Sequence, residues 1–256
     1  MRALVRRPGP RLNEGLLTHL ERTEIDVDLA TRQWQGYVDT MALNGWETIE
    51  VPTADDCPDA AFIEDTIVMY GDLAVISLPG AASRQPETRA VAEVIGSLGY
   101  RTVRIEPPGT LDGGDVLKVG DTVYVGLGGR TNAAGIEQLA AHLEPQGATV
   151  AIVPISKVLH LKSAVTALPD GTIVGWPEVV DDAGLFPKFM ATPEESGAHV
   201  VLLGDDRLLI ASDCPLSAEI YRSMGYQPLE VDIGEFQKLE GCVTCLSVRL
   251  RSQTNH

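Results

Sequence analysis

Four cysteines punctuate the chain, at 57, 214, 242 and 245, and the last two form the tetrad CVTC. A CxxC invites zinc binding or thiol–disulfide chemistry. No second Cys or His pair stands at local spacing, which argues against a four-ligand structural zinc site. A thioredoxin-like pair needs its first cysteine at a helix start. GCVTCLSVRL instead alternates as a strand, with Cys245, Ser247 and Arg249 on one face and Cys242 on the other. What remains is a choice between inert buried thiols and one thiol that works with an imidazole as a nucleophile. Of the five histidines, His19, His142 and His199 fall in helix-like or strand-edge contexts that suit the surface. His160, in PISKVLHLKSAV, follows a proline and a turn and precedes a small-residue strand, so its ring can be presented at a strand end. A ring hydrogen-bonded to backbone is the plain alternative.

Carboxylates and arginines sit at comparable places. Asp59, Glu64 and Asp65 in PDAAFIEDTIV interrupt an otherwise apolar stretch, where buried charge is costly unless it meets a cation or several donors. LDGGDVLKVG puts Asp112 and Asp115 around two glycines that allow a tight turn, from which a carboxylate can orient an imidazole. An ordinary Asp-rich hairpin turn is the competing reading. Arg84 in PGAASRQPE and Arg130 in GLGGRTN each follow small-residue loops, places where a guanidinium fork can hold a carboxylate or simply face water.

The elements that must position these groups follow a repeated syntax: a helix-like stretch, a glycine, a short strand, then a proline or acid. Arg32 to Asn44 leads into GWETIEVP, Glu87 to Leu98 into GYRTVRIEP, Asn132 to Leu143 into GATVAIVP, and Ser217 to Met224 into GYQPLEVD. Between them lie hairpin-like pairs around Gly/Asp turns, as in IVMYGDLAVI and VLKVGDTVYVG. The stop glycines at 45, 99, 147 and 225 give two intervals of about fifty residues and a longer third, which hides a degenerate unit or an insertion near VVDDAGLFPKFM. Over 256 residues that period predicts five ββαβ-type units around an axis, an α/β repeat in one domain spanning 1–256. A Rossmann fold fits poorly, because the hairpins break parallel alternation and no GxGxxG or GxxxxGK[ST] is present.

Composition narrows the function. A hydrophobic content of 44% can fill a core, while a net charge of −16 argues against wrapping a phosphate backbone and suits a small cationic partner. Pro8 interrupts the basic amino terminus before any export-type apolar run, and no apolar stretch nears the length of a membrane span. A cytoplasmic protein with neither nucleic acid nor membrane as partner is expected, as a monomer or homodimer.

Taken together, FIEDT, LDGGDVL, GLGGRTN, LHLKS and TCLSV resemble, in order and spacing, the dimethylarginine dimethylaminohydrolases. These belong to the guanidine-modifying superfamily that also holds arginine deiminases and amidinotransferases. The resemblance spans most of the chain. It implies the pentein fold, a five-bladed α/β propeller, and hydrolysis of Nω-methylated arginines to citrulline and dimethylamine or methylamine through a covalent Cys-thiouronium intermediate. By the same matching, Cys245 is the nucleophile, His160 the general acid and base, and Asp112 the residue that orients His160. Asp65, with Glu64 beside it, takes the guanidinium, Asp59 is a further carboxylate near the substrate, and Arg84 with Arg130 clamps the α-carboxylate. Asp115 supports from behind. Residues 11–20 correspond to a lid over the pocket, with Leu16 as its contact. No cofactor and no metal are implied. Nearby carboxylates should keep the Cys245 thiol neutral in the free enzyme. Deiminases are longer chains and carry an HxD element where this sequence has HLK, which favours methylarginine hydrolysis. The alternatives are deiminase-like hydrolysis of an unmethylated guanidine and a non-catalytic pentein that binds arginine-like cations.

Overall fold

The structure, a computed structural model, describes residues 1–250. Its strands form five three-stranded sheets, each an antiparallel pair extended by one parallel strand. A parallel partner requires a crossover, and a helix supplies it in most units. The chain opens with β1 (Arg2–Val5), α1 (Val27–Leu43) and β2 (Glu47–Glu50). The second unit is β3 (Ile67–Tyr70), β4 (Leu73–Ile76), α2 (Thr88–Ser97) and β5 (Arg101–Arg104). The third is β6 (Val116–Val119), β7 (Thr122–Leu127), α3 (Ala133–Leu143) and β8 (Thr149–Pro154).

A one-turn helix, α4 (Leu161–Ala164), leads into the fourth unit of β9 (Val165–Ala167), β10 (Ile173–Gly175) and β11 (Phe189–Ala191). Here only a 3-10 turn, Ala183–Leu185, lies on the crossover, which explains the long interval between stop glycines. The fifth unit is β12 (Val201–Gly204), β13 (Arg207–Ala211), α5 (Pro215–Ser223) and β14 (Gln227–Val231), followed by α6 (Gly234–Gln237) and β15 (Val248–Leu250). β15 returns to pair with β1, Arg2 opposite Leu250, so that the sheet begun at the amino terminus is completed near the carboxyl end.

Five apolar cores close the ring. Each lies between consecutive sheets: β1 and β15 against β3 and β4, β3 and β4 against β6 and β7, then on around the units. The last joins β12 and β13 to β1 through α1, whose Ala30, Trp34, Tyr37, Val38 and Met41 share its buried face. α1 starts five residues before the position expected from periodicity, because Asp26 caps it by accepting the Leu29 N–H. Gly45, Gly99, Gly147 and Gly225 all adopt φ between 84° and 92°, the left-handed conformation that lets the chain leave a helix and enter a strand. No helix among the described residues is long and apolar enough to cross a membrane.

Candidate active site

The chemistry-bearing residues occupy equivalent places in the repeat, just ahead of the first strand of a hairpin. The 3-10 turn Ile63–Thr66 precedes β3, the 3-10 turn Gly113–Asp115 precedes β6, and His160 caps α4 ahead of β9. Cys245 lies on the turn ahead of β15. Repetition therefore delivers one group from each of four units to one end of the ring. A single pocket is lined by Leu16, Asp59, Phe62, Asp65, Arg84, Arg130, Leu159, His160, Leu239, Glu240, Gly241 and Cys245. A larger, more open surface cleft beside Lys238, lined by Glu24 to Asp28, holds neither a thiol nor an imidazole.

His160 is buried between two carboxylates. Its Nε2 lies 2.9 Å from Asp112 Oδ2, and its Nδ1 is 3.7 Å from Asp65 Oδ1. Gly114 makes this approach possible: a Cβ there would sit 2.7 Å from His160 Nδ1 and 2.5 Å from Asp65 Oδ1. Asp112 is fixed in turn, accepting the Gly80 N–H at 2.8 Å through Oδ1. Asp115 accepts the Leu161 N–H at 2.9 Å and the Thr131 hydroxyl at 2.6 Å, which ties the His160 segment down from below. Asp65, Asp112 and His160 place three ligand-type atoms within 4.8 Å of one another, but these atoms already serve each other and the Gly114 N–H, which donates to Asp65 at 2.8 Å.

This setting fixes protonation. Burial works to lower the His160 pKa, but the charge of Asp65 and the hydrogen bond with Asp112 outweigh it and raise the ring to about 9. Burial would lift Asp65, yet His160 and Arg84 hold it down at about 2. Burial lifts Asp115 to about 6. Relative to an unfolded imidazole near 6.5, the raised His160 contributes stability that is complete below that value and is lost as pH rises through about 9. Asp65 contributes above its unfolded value near 3.8 and loses the contribution as pH falls through about 2. Asp112→Asn, which removes a hydrogen bond that favours imidazolium, is expected to move the His160 ring titration in NMR down from about 9 toward an ordinary imidazole. An unmoved midpoint would contradict the role given to Asp112.

Cys245 is buried and accepts the Cys242 N–H at 3.5 Å. The hydrogen bond with Cys242, burial, and the charges of Cys242, Glu64 and Asp65 push its thiol well up, the direction expected for a neutral thiol in the free protein. Residues 242–246 form a turn in which the Cys245 N–H reaches the Cys242 carbonyl at 3.1 Å, and the strand starts only at Val248. The alternation expected for GCVTCLSVRL fails for this reason. A turn places residues i and i+3 on one side, and the two sulfurs come within 3.4 Å.

The neighbouring acids of FIEDT part company. Asp65 faces the pocket, whereas Glu64 points away from it, 2.5 Å from Lys162 Nζ and accepting the Thr244 hydroxyl at 2.9 Å. Glu64 is thus absent from the pocket lining, contrary to its expected place beside the guanidinium, because successive residues of a 3-10 turn project in different directions. The Glu64 N–H also donates to the Cys245 carbonyl at 3.1 Å, so Glu64 braces the cysteine turn against the His160 segment. Arg84 reaches the pocket, but its guanidinium is largely committed: to Asp65 at 2.6 Å, to Glu87 at 2.8 and 3.0 Å, and to the carbonyls of Asp59 and Phe62. Among the described residues Arg130 has only a 3.8 Å ion pair to Asp112, which leaves its N–H groups the freer cationic donors.

Asp59 accepts the Leu16 N–H at 3.0 Å, and burial pushes its carboxyl up. Through Leu16 the segment 11–20 lines the pocket here. Sequence reading missed its other anchor, Glu240, whose Oε1 gathers the N–H groups of Thr18, His19 and Leu20 at 2.8, 2.5 and 2.8 Å. No short-range pattern links an acid with backbone more than 200 residues earlier.

The arginine deiminase family model matches residues 55–237. The chain is 60% identical over 250 residues to an N(G),N(G)-dimethylarginine dimethylaminohydrolase of Streptomyces coelicolor, covering 98% of this chain and 97% of that one. It is 33% identical over 254 residues to the protein of the same name from Pseudomonas aeruginosa, covering 96% and 98%. A solved structure of the Pseudomonas aeruginosa enzyme, a cysteine-to-serine mutant complexed with citrulline, superposes with a TM-score of 0.91 at 31% identity, over 97% of this chain and 98% of that one.

Proposed function

Because the chain belongs to the dimethylarginine dimethylaminohydrolase family, we propose that it hydrolyses Nω-methylated arginines to citrulline and dimethylamine or methylamine, with Cys245 as the nucleophile. The observation that carries this reading is the lining of one pocket by the Cys245 thiol, the buried His160 imidazole, whose carboxylate neighbours raise it to about 9, the carboxylates of Asp59 and Asp65, and Arg130. Asp65 and Asp59 supply the anionic end that takes the substrate guanidinium. Arg130 takes its α-carboxylate, and Arg84 acts by holding Asp65 in place.

The chemistry follows from charge. A guanidinium carbon is a poor electrophile, so the carboxylates must fix and polarise the cation. Its arrival puts positive charge beside the thiol, which favours loss of the Cys245 proton to solvent. The thiolate adds to the guanidinium carbon. His160, already protonated, gives its proton to the departing methylated amine as the C–N bond breaks, leaving a thiouronium on Cys245. The neutral imidazole then takes a proton from water, whose oxygen attacks the same carbon. Collapse breaks the C–S bond and releases citrulline.

Lys162 is held by Glu64 behind the pocket, so the position where the deiminase motif carries an acid presents no carboxylate to the distal nitrogens. Turnover of asymmetric dimethylarginine, monomethylarginine and free arginine tests the reading. Both methylated substrates should give citrulline, with kcat/KM for free arginine lower by about tenfold or more. Equal or preferred turnover of free arginine would establish a deiminase, and absence of citrulline from all three a binding protein.

A further inference from the structure

Cys242 is a second thiol seated directly behind the proposed nucleophile, and nothing in the hydrolytic cycle uses its sulfur. All four cysteines are free, and only this pair lies in contact: Cys214 Sγ rests on the Ala211 carbonyl and Cys57 Sγ near that of Ser83. The Cys242 and Cys245 sulfurs are 3.4 Å apart across a turn, a geometry that keeps the two Cα atoms within about 7 Å. Disulfides need Cα separations of about 4.4–6.8 Å and an S–S bond near 2.05 Å, so closure requires rotation of two side chains and little movement of backbone. Access is one-sided. Cys245 lines the pocket, whereas Cys242, at 3% exposure, is not part of its wall.

We propose that Cys242 and Cys245 form an oxidation site for small hydroperoxides, in which Cys242 resolves an oxidised Cys245 into an intramolecular disulfide and reversibly switches off the hydrolase. The Cys245 sulfur attacks one peroxide oxygen as its thiol proton passes to the departing oxygen, and the O–O bond breaks. Sulfur loses two electrons to become sulfenic acid, and the other oxygen leaves as water (or as an alcohol from an organic hydroperoxide) after taking a proton. The Cys242 sulfur then attacks the sulfenic sulfur, the S–O bond breaks, and the hydroxide leaves with the Cys242 proton as a second water. A dithiol reductant reverses the bond by exchange. Burial keeps the resolving thiol beside the sulfenate and away from competing thiols, while the Thr244 hydroxyl at 3.2 Å and the Cys245 hydrogen bond hold the Cys242 sulfur on that side of the turn. Loss of turnover on oxidation rests on the reading of Cys245 as the nucleophile; formation of the disulfide does not.

Hydrogen peroxide treatment of the full chain, followed by alkylation, peptide mapping and assay before and after dithiothreitol, tests the proposal. The expected result is a Cys242–Cys245 linked peptide two hydrogens lighter than the dithiol form, together with a rate loss of about tenfold or more that dithiothreitol recovers. Cys242→Ser and Cys242→Ala, each normalised to its own untreated rate, should lose activity without recovery as Cys245 advances to sulfinic acid. The map on the native chain stands even if neither variant folds. Inactivation without the linked peptide, or without recovery, would overturn the proposal. A linked peptide with undiminished turnover would also overturn the switch, by removing the nucleophile assignment beneath it while leaving the disulfide in place.

Discussion

Cys245→Ser is expected to lower kcat by about 10⁴-fold or more while leaving the fold intact. Serine is close in size and keeps an acceptor for the Cys242 N–H, so the turn ahead of β15 loses little. What disappears is the nucleophile. A hydroxyl ionises far above a thiol, and the surrounding Glu64 and Asp65 oppose a further anion in this burial. Binding should survive, because Asp65, Asp59 and Arg130 are untouched. The check is kcat measured beside a thermal melt and the Kd for asymmetric dimethylarginine. A loss under about tenfold with normal folding would leave Cys245 without its role.

His160→Asn should cost about 10³-fold or more in kcat/KM and change the pH profile as well as the rate. In the parent protein the ring stays protonated to about 9, so kcat/KM should fall as pH rises through that value, when the leaving amine loses its acid. The variant should show no such descending limb. The substitution also leaves Asp112 and Asp65 without the imidazolium between them, so the variant should be less stable at neutral pH. Measuring kcat/KM from pH 6 to about 10 for both proteins separates the effects, since a purely structural lesion lowers the whole profile without removing its basic limb.

Much of this architecture was legible because the repeat is written in residues whose local physics is strong. Gly45, Gly99, Gly147 and Gly225 stop helices by taking left-handed backbone, and their period announced five units. The fourth unit was obscured because its crossover carries one 3-10 turn instead of a helix, leaving no periodic apolar face to detect. The residues of the site could be listed from motif order, since Asp65, Asp112, His160 and Cys245 stand ahead of equivalent strands.

Their directions could not. Glu64 and Asp65 are adjacent in sequence and opposite in use, a distinction set by a 3-10 turn and by Lys162 arriving from another unit. Nothing in PGAASRQPE tells that the Arg84 guanidinium is taken up by Asp65 and by Glu87 rather than free for a substrate carboxylate. The strand reading of CVTC failed because alternation of side chains does not distinguish an extended segment from a turn over four residues.

Acid-quenching the protein during turnover of asymmetric dimethylarginine and mapping the adduct by mass spectrometry shows whether the reaction runs through a covalent bond to Cys245. A transient amidino adduct should form on the Cys245 peptide and decay at rates compatible with kcat, and should be absent from Cys245→Ser. Citrulline released at the full rate with Cys245 unmodified at every quench time, and undiminished in Cys245→Ser, would contradict the covalent route.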